Sequence, residues 1–255
     1  MTPYYENSNG KLFCENCLEI MPTLPDKSVD MILCDLPYGT TACKWDTVIP
    51  FEPLWVQYKR LIKDNGAIVL TASQPFTSML VMSNLKMFRY SLVWEKQKGT
   101  DPLNANWKPL KAHEDILLFY NKKPVYNPQK TLGTPYLRKG NCRVKSEINR
   151  KTEDIFDRGS SSGERYPKSV LKFTSEGMNA NNLHPTQKPV ALFEYLVRTY
   201  TNEGDTVLDN CAGSGTTGIA CMKTNRKFIM IEKELEYVEV IVSRIEAENK
   251  QYKMF

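Results

Sequence analysis

Two hydrophobic patterns alternate along this chain. The first is the short, nearly unbroken apolar run, as in Val29–Cys34 (VDMILC) and Ala67–Thr71 (AIVLT). Runs of this kind are typical of strands buried on both faces of a parallel sheet. The same reading predicts strands at Lys11–Cys14, Tyr90–Trp94, Ile116–Tyr120, Thr206–Leu208 and Lys227–Ile231. The second pattern has helical spacing. In Pro53–Ile62 it places Leu54, Tyr58, Leu61 and Ile62 on one side, and Asp64-Asn65-Gly66 stops the helix. Further helices are predicted at Phe76–Leu85, Val190–Thr201, from about Thr216, and from Leu235 to about Asn249, with a helical turn at Leu18–Leu24 ended by Pro22 and Pro25.

Strands alternating with helices predict an α/β domain with a mainly parallel sheet flanked by helices. The regularity breaks between Asn121 and Leu183, where scattered charges, prolines and a Gly-Ser-Ser-Ser-Gly stretch at 159–163 replace it. The expected organisation is therefore one domain made of residues 1–120 and 184–255, interrupted by an insertion at 121–183. There is no internal repeat.

Charge sharpens that division. The net charge of +5 hides a segment, 121–183, with thirteen Lys/Arg against six Asp/Glu, so the remaining residues sum to −2. One basic segment on a near-neutral body suits either a polyanion or a solvated lysine-rich surface. No run approaches the roughly 18–20 apolar residues needed to span a bilayer. The polar N-terminus lacks the apolar stretch of an export signal, which implies a cytoplasmic address and reduced thiols. Cys14 and Cys17 form a CxxC, but no second pair completes the four ligands of a structural zinc site. Ordinary small residues at a strand-to-helix junction, and no metal, are expected.

Ligands of open α/β sheets bind at the carboxyl ends of strands. Two chemically suggestive clusters follow predicted strands directly. In the first, Asp209-Asn210-Cys211-Ala212-Gly213-Ser214-Gly215-Thr216-Thr217, a strand enters a glycine-rich turn and a helix leaves it. Gly213 and Gly215 let a ligand approach the backbone, and the helix start offers free N–H groups. Some residues later a second strand ends in Ile231-Glu232, and an acid there suits the two hydroxyls of a ribose. The GxxxxGK[ST] phosphate loop is absent, which argues against nucleoside triphosphate hydrolysis.

The second cluster is Asp35-Leu36-Pro37-Tyr38. An aromatic amine is a poor nucleophile because its lone pair is delocalised into the ring. A carboxylate and a carbonyl that both accept hydrogen bonds from the NH₂ would localise that pair and aim it. Asp35 can supply the carboxylate and the main chain of Leu36 the carbonyl. Pro37 fixes the turn, and Tyr38 offers a flat face for a base. A base within a duplex would have to be flipped out to reach them. Taken alone, either cluster also fits a tight structural turn.

Together they resemble the amino-group DNA methyltransferases, whose catalytic motif is (D/N/S)PP(Y/F/W) and whose cofactor motif is similar to FxGxG. The order here, catalytic motif, variable region, cofactor motif, resembles the permuted β class. Lys11–Tyr38 resembles the family's opening segment. Trp94-Glu95-Lys96 and His113-Glu114 resemble its middle motifs, and His184-Pro185-Thr186-Gln187-Lys188-Pro189 the segment before its cofactor strand. The resemblance implies a Rossmann-like S-adenosylmethionine-dependent fold and methyl transfer to N6 of adenine or N4 of cytosine in double-stranded DNA. Asp rather than Ser at position 35 favours adenine.

By the same resemblance, Asp35, Leu36, Pro37 and Tyr38 form the catalytic loop. Asp209, Cys211, Gly213, Ser214, Gly215 and Thr216 line the cofactor, with Asp35 facing it and Glu232 on its ribose. Asn16 and Cys17 lie near its adenine, His184 and Lys188 shape its edge, and 121–183 fills the place of the target-recognition region. The chain departs from the pattern at Leu36 (usually Pro), Cys211 (commonly Phe) and Asn16 (often Asp). Relatives of this class commonly pair, which implies a homodimer on one duplex; a restriction endonuclease partner is not legible in the residues.

Other readings are less well supported. A 5-methylcytosine enzyme needs a nucleophilic cysteine, usually after proline, and no proline here precedes a cysteine. A catalytically silent binding module would have lost Asp35 or Gly213, and both are present. An RNA or protein methyltransferase with a similar loop stays open. His184 is expected to be structural, because transfer from a sulfonium needs no strong base beforehand. Trp45, Trp55 and Trp94 are core by default, and Trp107, within Asn104–Pro109, is the tryptophan placed to touch DNA.

Overall fold

The computed structural model describes residues 1–41, 43, 46–135, 162–174 and 187–252. Trp45, His184 and most of the basic segment lie outside the described residues. The chain forms two compact units, one of residues 1–127 and 169–255 and one of 128–168.

The larger unit begins with β1 (Tyr5–Asn7), β2 (Gly10–Cys14) and the short helix α1 (Cys17–Ile20), followed by a 3₁₀ turn at Met21–Thr23 and by β3 (Val29–Asp35). It continues through α2 (Phe51–Leu61), β4 (Ile62–Ala72), α3 (Phe76–Ser83), β5 (Phe88–Thr100) and β6 (Lys111–Phe119). In the smaller unit β7 (Thr131–Leu132) pairs antiparallel with β8 (Glu164–Arg165), and Lys130 bridges to Glu164 at 2.9 Å. The larger unit resumes with β9 (Val170–Lys172), α4 (Val190–Tyr200), β10 (Thr206–Asp209), α5 (Thr216–Lys223), β11 (Lys227–Glu232) and α6 (Leu235–Tyr252).

Nine strands make one sheet in the order β1-β2-β11-β10-β3-β4-β6-β5-β9. From β2 to β4 the pairings are parallel; β6 runs antiparallel to both β4 and β5, and β1 antiparallel to β2. This is the expected α/β architecture, a mostly parallel sheet between two helical layers. Alternation along the strands explains why the apolar runs are unbroken. On β3, Met31 and Leu33 join one core while Val29, Ile32 and Cys34 join the other. The first core is closed by α4, α5 and α6, for example through Phe193, Ile219 and Ile241, and the second by α1, α2 and α3, through Ile20, Tyr58 and Leu80. Trp55 and Trp94 are buried as expected.

The strand order locates the ligand crevice. β10 and β3 are neighbours, yet the chain leaves β10 through α5 for β11 on one side and leaves β3 through α2 for β4 on the other. The two crossovers lie on opposite faces of the sheet and diverge, so the crevice opens outside the carboxyl ends of β3 and β10.

Two boundaries differ from those expected. Residues 121–127 and 169–174 belong to the larger unit rather than to an insertion at 121–183. The Asn127 N–H donates to the Thr199 carbonyl at 2.7 Å, and β9 extends the sheet beside β5. Contacts this local, and a strand of three residues, leave no periodicity to read. The strands β5 and β6 are also longer than Tyr90–Trp94 and Ile116–Tyr120, because polar residues beyond those spans, through Thr100 on β5 and from Lys111 on β6, continue the pairing without hydrophobic alternation.

Candidate active site

Asp35 is the last residue of β3 and Asp209 the last of β10, and these adjacent parallel strands bring their carboxyl ends to the same edge of the sheet. Their strands pair in register at Val207 with Met31 and Leu208 with Ile32. The Asp35 and glycine-rich clusters, far apart in sequence, therefore share one crevice.

After Asp35 the Leu36 side chain turns into the core, 3% exposed, where it anchors the loop in place of the family's proline. Gly39, at φ 68°, reverses the backbone, and the Asp46 carboxylate accepts the N–H groups of Gly39, Thr40 and Thr41 at 2.7–2.9 Å. Asp46 is buried, which opposes its charge, but these bonds hold its carboxyl below the usual range. This buttress of the loop after Asp35 carries no sequence signal beyond an aspartate seven residues after a glycine.

The Asp35 carboxylate is fully engaged. Oδ1 accepts the Tyr38 hydroxyl at 2.7 Å and the Thr71 hydroxyl at the end of β4, and Oδ2 takes the Lys188 ammonium at 2.5 Å. Burial first, and then the charges of Asp35 and Glu114, raise the Tyr38 phenol, so it stays a donor. The Tyr38 ring stacks on Phe76, 5.2 Å between centroids at 25°. One face of the expected base platform is thus covered from within.

Lys188, only 6% exposed, was expected at the cofactor edge, and the structure places its ammonium on the Asp35 carboxylate. Glu114 stands 3.4 Å from the same ammonium and pairs with Lys96 at 2.5 Å. Burial alone would pull the lysine down, but the two carboxylates outweigh it and raise it above its ordinary value. Its carbonyl accepts the Thr216 hydroxyl at 3.3 Å, so one residue ties the catalytic loop to the start of α5.

On the cofactor side, Gly213 and Gly215 have φ of 52° and 78°. A Cβ on Gly215 would fall 3.0 Å from Ile241, so the bend needs glycine there for both reasons. Glu232, at the end of β11, accepts the Gly213 N–H at 2.8 Å and the Lys233 and Glu234 N–H groups at 2.9 and 3.0 Å. Burial raises its pKa despite those bonds. Asp209, 3% exposed, accepts the Thr217 hydroxyl and the Cys211 N–H, yet burial pushes it up to about 6. Ser214 is held through its carbonyl and hydroxyl by Arg244.

Asn16 caps α1 through the Leu18 N–H, and Cys17 follows it at the same sheet edge. The Asn210 amide reaches the sulfurs of Cys17 and Cys211 at 3.6 and 3.5 Å while the Tyr58 hydroxyl donates to its Oδ1. Hydrogen bonding with Cys211 lowers the Cys17 thiol to about 7, and burial sends Cys34 up to about 12. A hollow of about 330 Å³ beside α1 and α2 is lined by Leu18, Glu52, Pro53, Val56 and Gln57 and contains none of the crevice residues.

Three carboxylates, Glu232, Asp209 and Asp35, thus end three adjacent strands around a bend whose two glycines project no side chain. That donor set fits S-adenosylmethionine, a sulfonium cation with two ribose hydroxyls. The family model for DNA methylases of the N6/N4 type matches residues 29–243. The chain belongs to this family.

This DNA methyltransferase is 29% identical to the Type II methyltransferase M.HpaI of Haemophilus parainfluenzae, over 93% of this chain and 74% of that one. The solved M1.HpyAVI–SAM complex is 25% identical, covers 92% of this chain and 98% of its own, and superposes with a TM-score of 0.64. The PvuII cytosine-N4-specific DNA methyltransferase shares the fold, with a TM-score of 0.66 at 17% identity over 94% and 87% of the two chains. S-adenosylmethionine is the cofactor of the enzyme. Among the described residues Thr71, Asp46, Tyr58 and Arg244 take part in building the site and were not singled out from the sequence, since Thr71, Tyr58 and Arg244 act through partners distant along the chain and Asp46 through backbone N–H groups that leave no side-chain pattern.

Proposed function

We propose that this DNA methyltransferase is a permuted β-class enzyme that methylates N6 of an adenine extruded from duplex DNA. The observation that carries the reading is the crevice itself, where Asp35 and the glycine bend lie at one edge of the sheet, joined by Lys188. The bound cofactor supplies a methyl group on a sulfonium, an electrophile that needs no further activation.

The protein's task is then to aim a weak nucleophile. The Asp35 carboxylate and the Leu36 carbonyl accept the two N–H groups of the amine, so the lone pair leaves the ring plane and points across the crevice. For this, Asp35 exchanges its bond to the Tyr38 hydroxyl for the amine, while Lys188 keeps the carboxylate charged. Tyr38, released from Asp35, is then free to turn its ring toward the base. After transfer the ammonium product is acidic and loses its proton without a dedicated base. His184 shapes the cofactor edge in this reading, Asn16 and Cys17 lie near its adenine, Glu232 faces its ribose, and Cys211, Ser214 and Thr216 line it.

The region 121–183 is proposed as the target-recognition element, its Lys/Arg excess directed at phosphates. A homodimer on one duplex, a cytoplasmic location and a companion restriction endonuclease belong to the same proposal. Replacing Asp35 with Ala tests it. Methyl transfer to duplex DNA is expected to vanish while S-adenosylmethionine still binds, and unchanged transfer would remove the mechanism.

A further inference from the structure

The hairpin joining β5 to β6 reaches past the site. The last residue of β4, Ala72, pairs with Asp115, but β6 begins four residues earlier at Lys111, which pairs with Thr100 of β5. Because β6 is antiparallel to β4, these extra residues project beyond the carboxyl edge at which Asp35 sits. The base of the hairpin is fastened to that edge. The Lys111 ammonium bonds the Ser73 hydroxyl just after β4, and Lys96 pairs with Glu114, the partner of Lys188.

Beyond Thr100 the tip is a built knob rather than a loose loop. Asp101 adopts φ 70°, and its carboxylate takes the Asn104 amide at 2.7 Å and the Lys108 ammonium at 2.6 Å. A 3₁₀ turn spans Pro102–Asn104, and the Trp107 and Lys108 N–H groups both donate to the Asn104 carbonyl, at 2.9 and 3.0 Å. A Cβ on Gly99 would stand 2.6 Å from that of Leu110, so the two legs close tightly under the knob. All this order presents two large apolar side chains to solvent: Leu103 is 92% exposed and Trp107 is 86% exposed. Residues 96–111 carry four lysines against one aspartate.

A rigid indole and a leucine held out in water, among cations, beside a crevice for an extruded base, match one partner. Apolar side chains inserted between base steps unstack a duplex, and an aromatic ring can replace the stacking that a departing base gives up. We infer that the Leu103–Trp107 knob is a wedge that enters duplex DNA where the target base leaves and fills its place. The inference rests on the function proposed above and adds the group that sustains extrusion. Lys98 lies along the phosphates, and the anchors at Ser73 and Glu114 hold the wedge in register with Asp35.

The test uses Trp107→Ala and Trp107→Phe in the full chain. Plasmid DNA methylated by the wild type is mapped to find the target. Short duplexes carrying that site are then made with either the ordinary partner base or an abasic residue opposite the target. Extrusion is costly only in the first. Trp107→Ala is expected to slow single-turnover transfer on the paired duplex on the order of 10- to 100-fold. It should leave transfer on the abasic duplex nearly intact, as well as cofactor affinity and thermal unfolding, and Trp107→Phe should restore most of the loss. Equal slowing on both duplexes would make the knob a general docking contact and overturn the wedge. So would an unchanged rate on both, or a variant that converts a dimer to monomers with loss on both, the mark of a surface for a second copy. Wild-type protein that places no methyl group on DNA would instead overturn the functional reading, and the wedge with it.

Discussion

Replacing Lys188 with Met removes the cation from a nearly closed cluster while keeping the length of the side chain. The side chains concerned are 6% exposed for Lys188, 11% for Glu114 and 24% for Asp35. Breaking a buried ion pair from one side costs about 3–5 kcal/mol, and the partial exposure of Asp35 places this case near 3 kcal/mol. The pH dependence carries the diagnostic sign. The lysine's pKa is raised in the folded protein, so its contribution is complete throughout the neutral range and is lost only as pH rises through that raised value. In the variant Asp35 loses its cation while Glu114 keeps Lys96, so the Asp35 charge is left without a compensating partner. The stability deficit should therefore be largest above neutral pH and shrink on acidification, as read by urea unfolding across pH. If Asp35 acts as proposed, losing this cation should also move the acid limb of the kcat profile to higher pH. Lys188→Arg should return that limb toward the wild-type position even where its bulk lowers kcat. A deficit of the same size at every pH, with an unmoved acid limb, would mean that Lys188 is packing rather than charge.

Asp209 gives the opposite sign. Its raised value, about 6 against an ordinary 3.8, means a stabilising share present at low pH and lost as pH climbs through about 6. The charge then costs on the order of 3 kcal/mol in the cofactor-free protein. Asp209→Asn should be at least as stable as wild type at pH 8 and lose the dependence between about pH 4 and about pH 6, while binding S-adenosylmethionine less tightly; thermal unfolding and calorimetric titration decide it, and a less stable variant with the same pH dependence would refute it. Gly215→Ala must place a Cβ at φ 78° and 3.0 Å from Ile241, so a loss of about 1–3 kcal/mol with weaker cofactor binding is expected in denaturant titrations, and a variant as stable as wild type would show that the bend relaxes freely.

The sequence was most informative where burial is two-sided or a backbone conformation is special. VDMILC and AIVLT read as central strands because both faces of β3 and β4 meet helices, and Gly213 and Gly215 stood out because the bend requires their φ. The Asp35 loop was legible through its chemistry together with the family resemblance. Side chains that act across the fold were not legible. Nothing in Ile68–Thr71 says that the Thr71 hydroxyl reaches Asp35, because that depends on the register between β3 and β4. Lys188 could be placed near the crevice but not on Asp35, since its position depends on the approach to α4. The outer hairpin escaped because its polar residues carry no hydrophobic alternation. Trp107 drew notice only as an aromatic among polar neighbours.

The proposed chemistry turns on Asp35 presenting an adenine amine to the methyl donor in this crevice. Duplex DNA incubated with the enzyme and S-adenosylmethionine carrying a deuterated methyl group, then digested to nucleosides and weighed by mass spectrometry, tests it directly. Labelled N6-methyladenine is expected from the wild type and none from Asp35→Ala. Labelled N4-methylcytosine instead, or N6-methyladenine from both proteins, would contradict it.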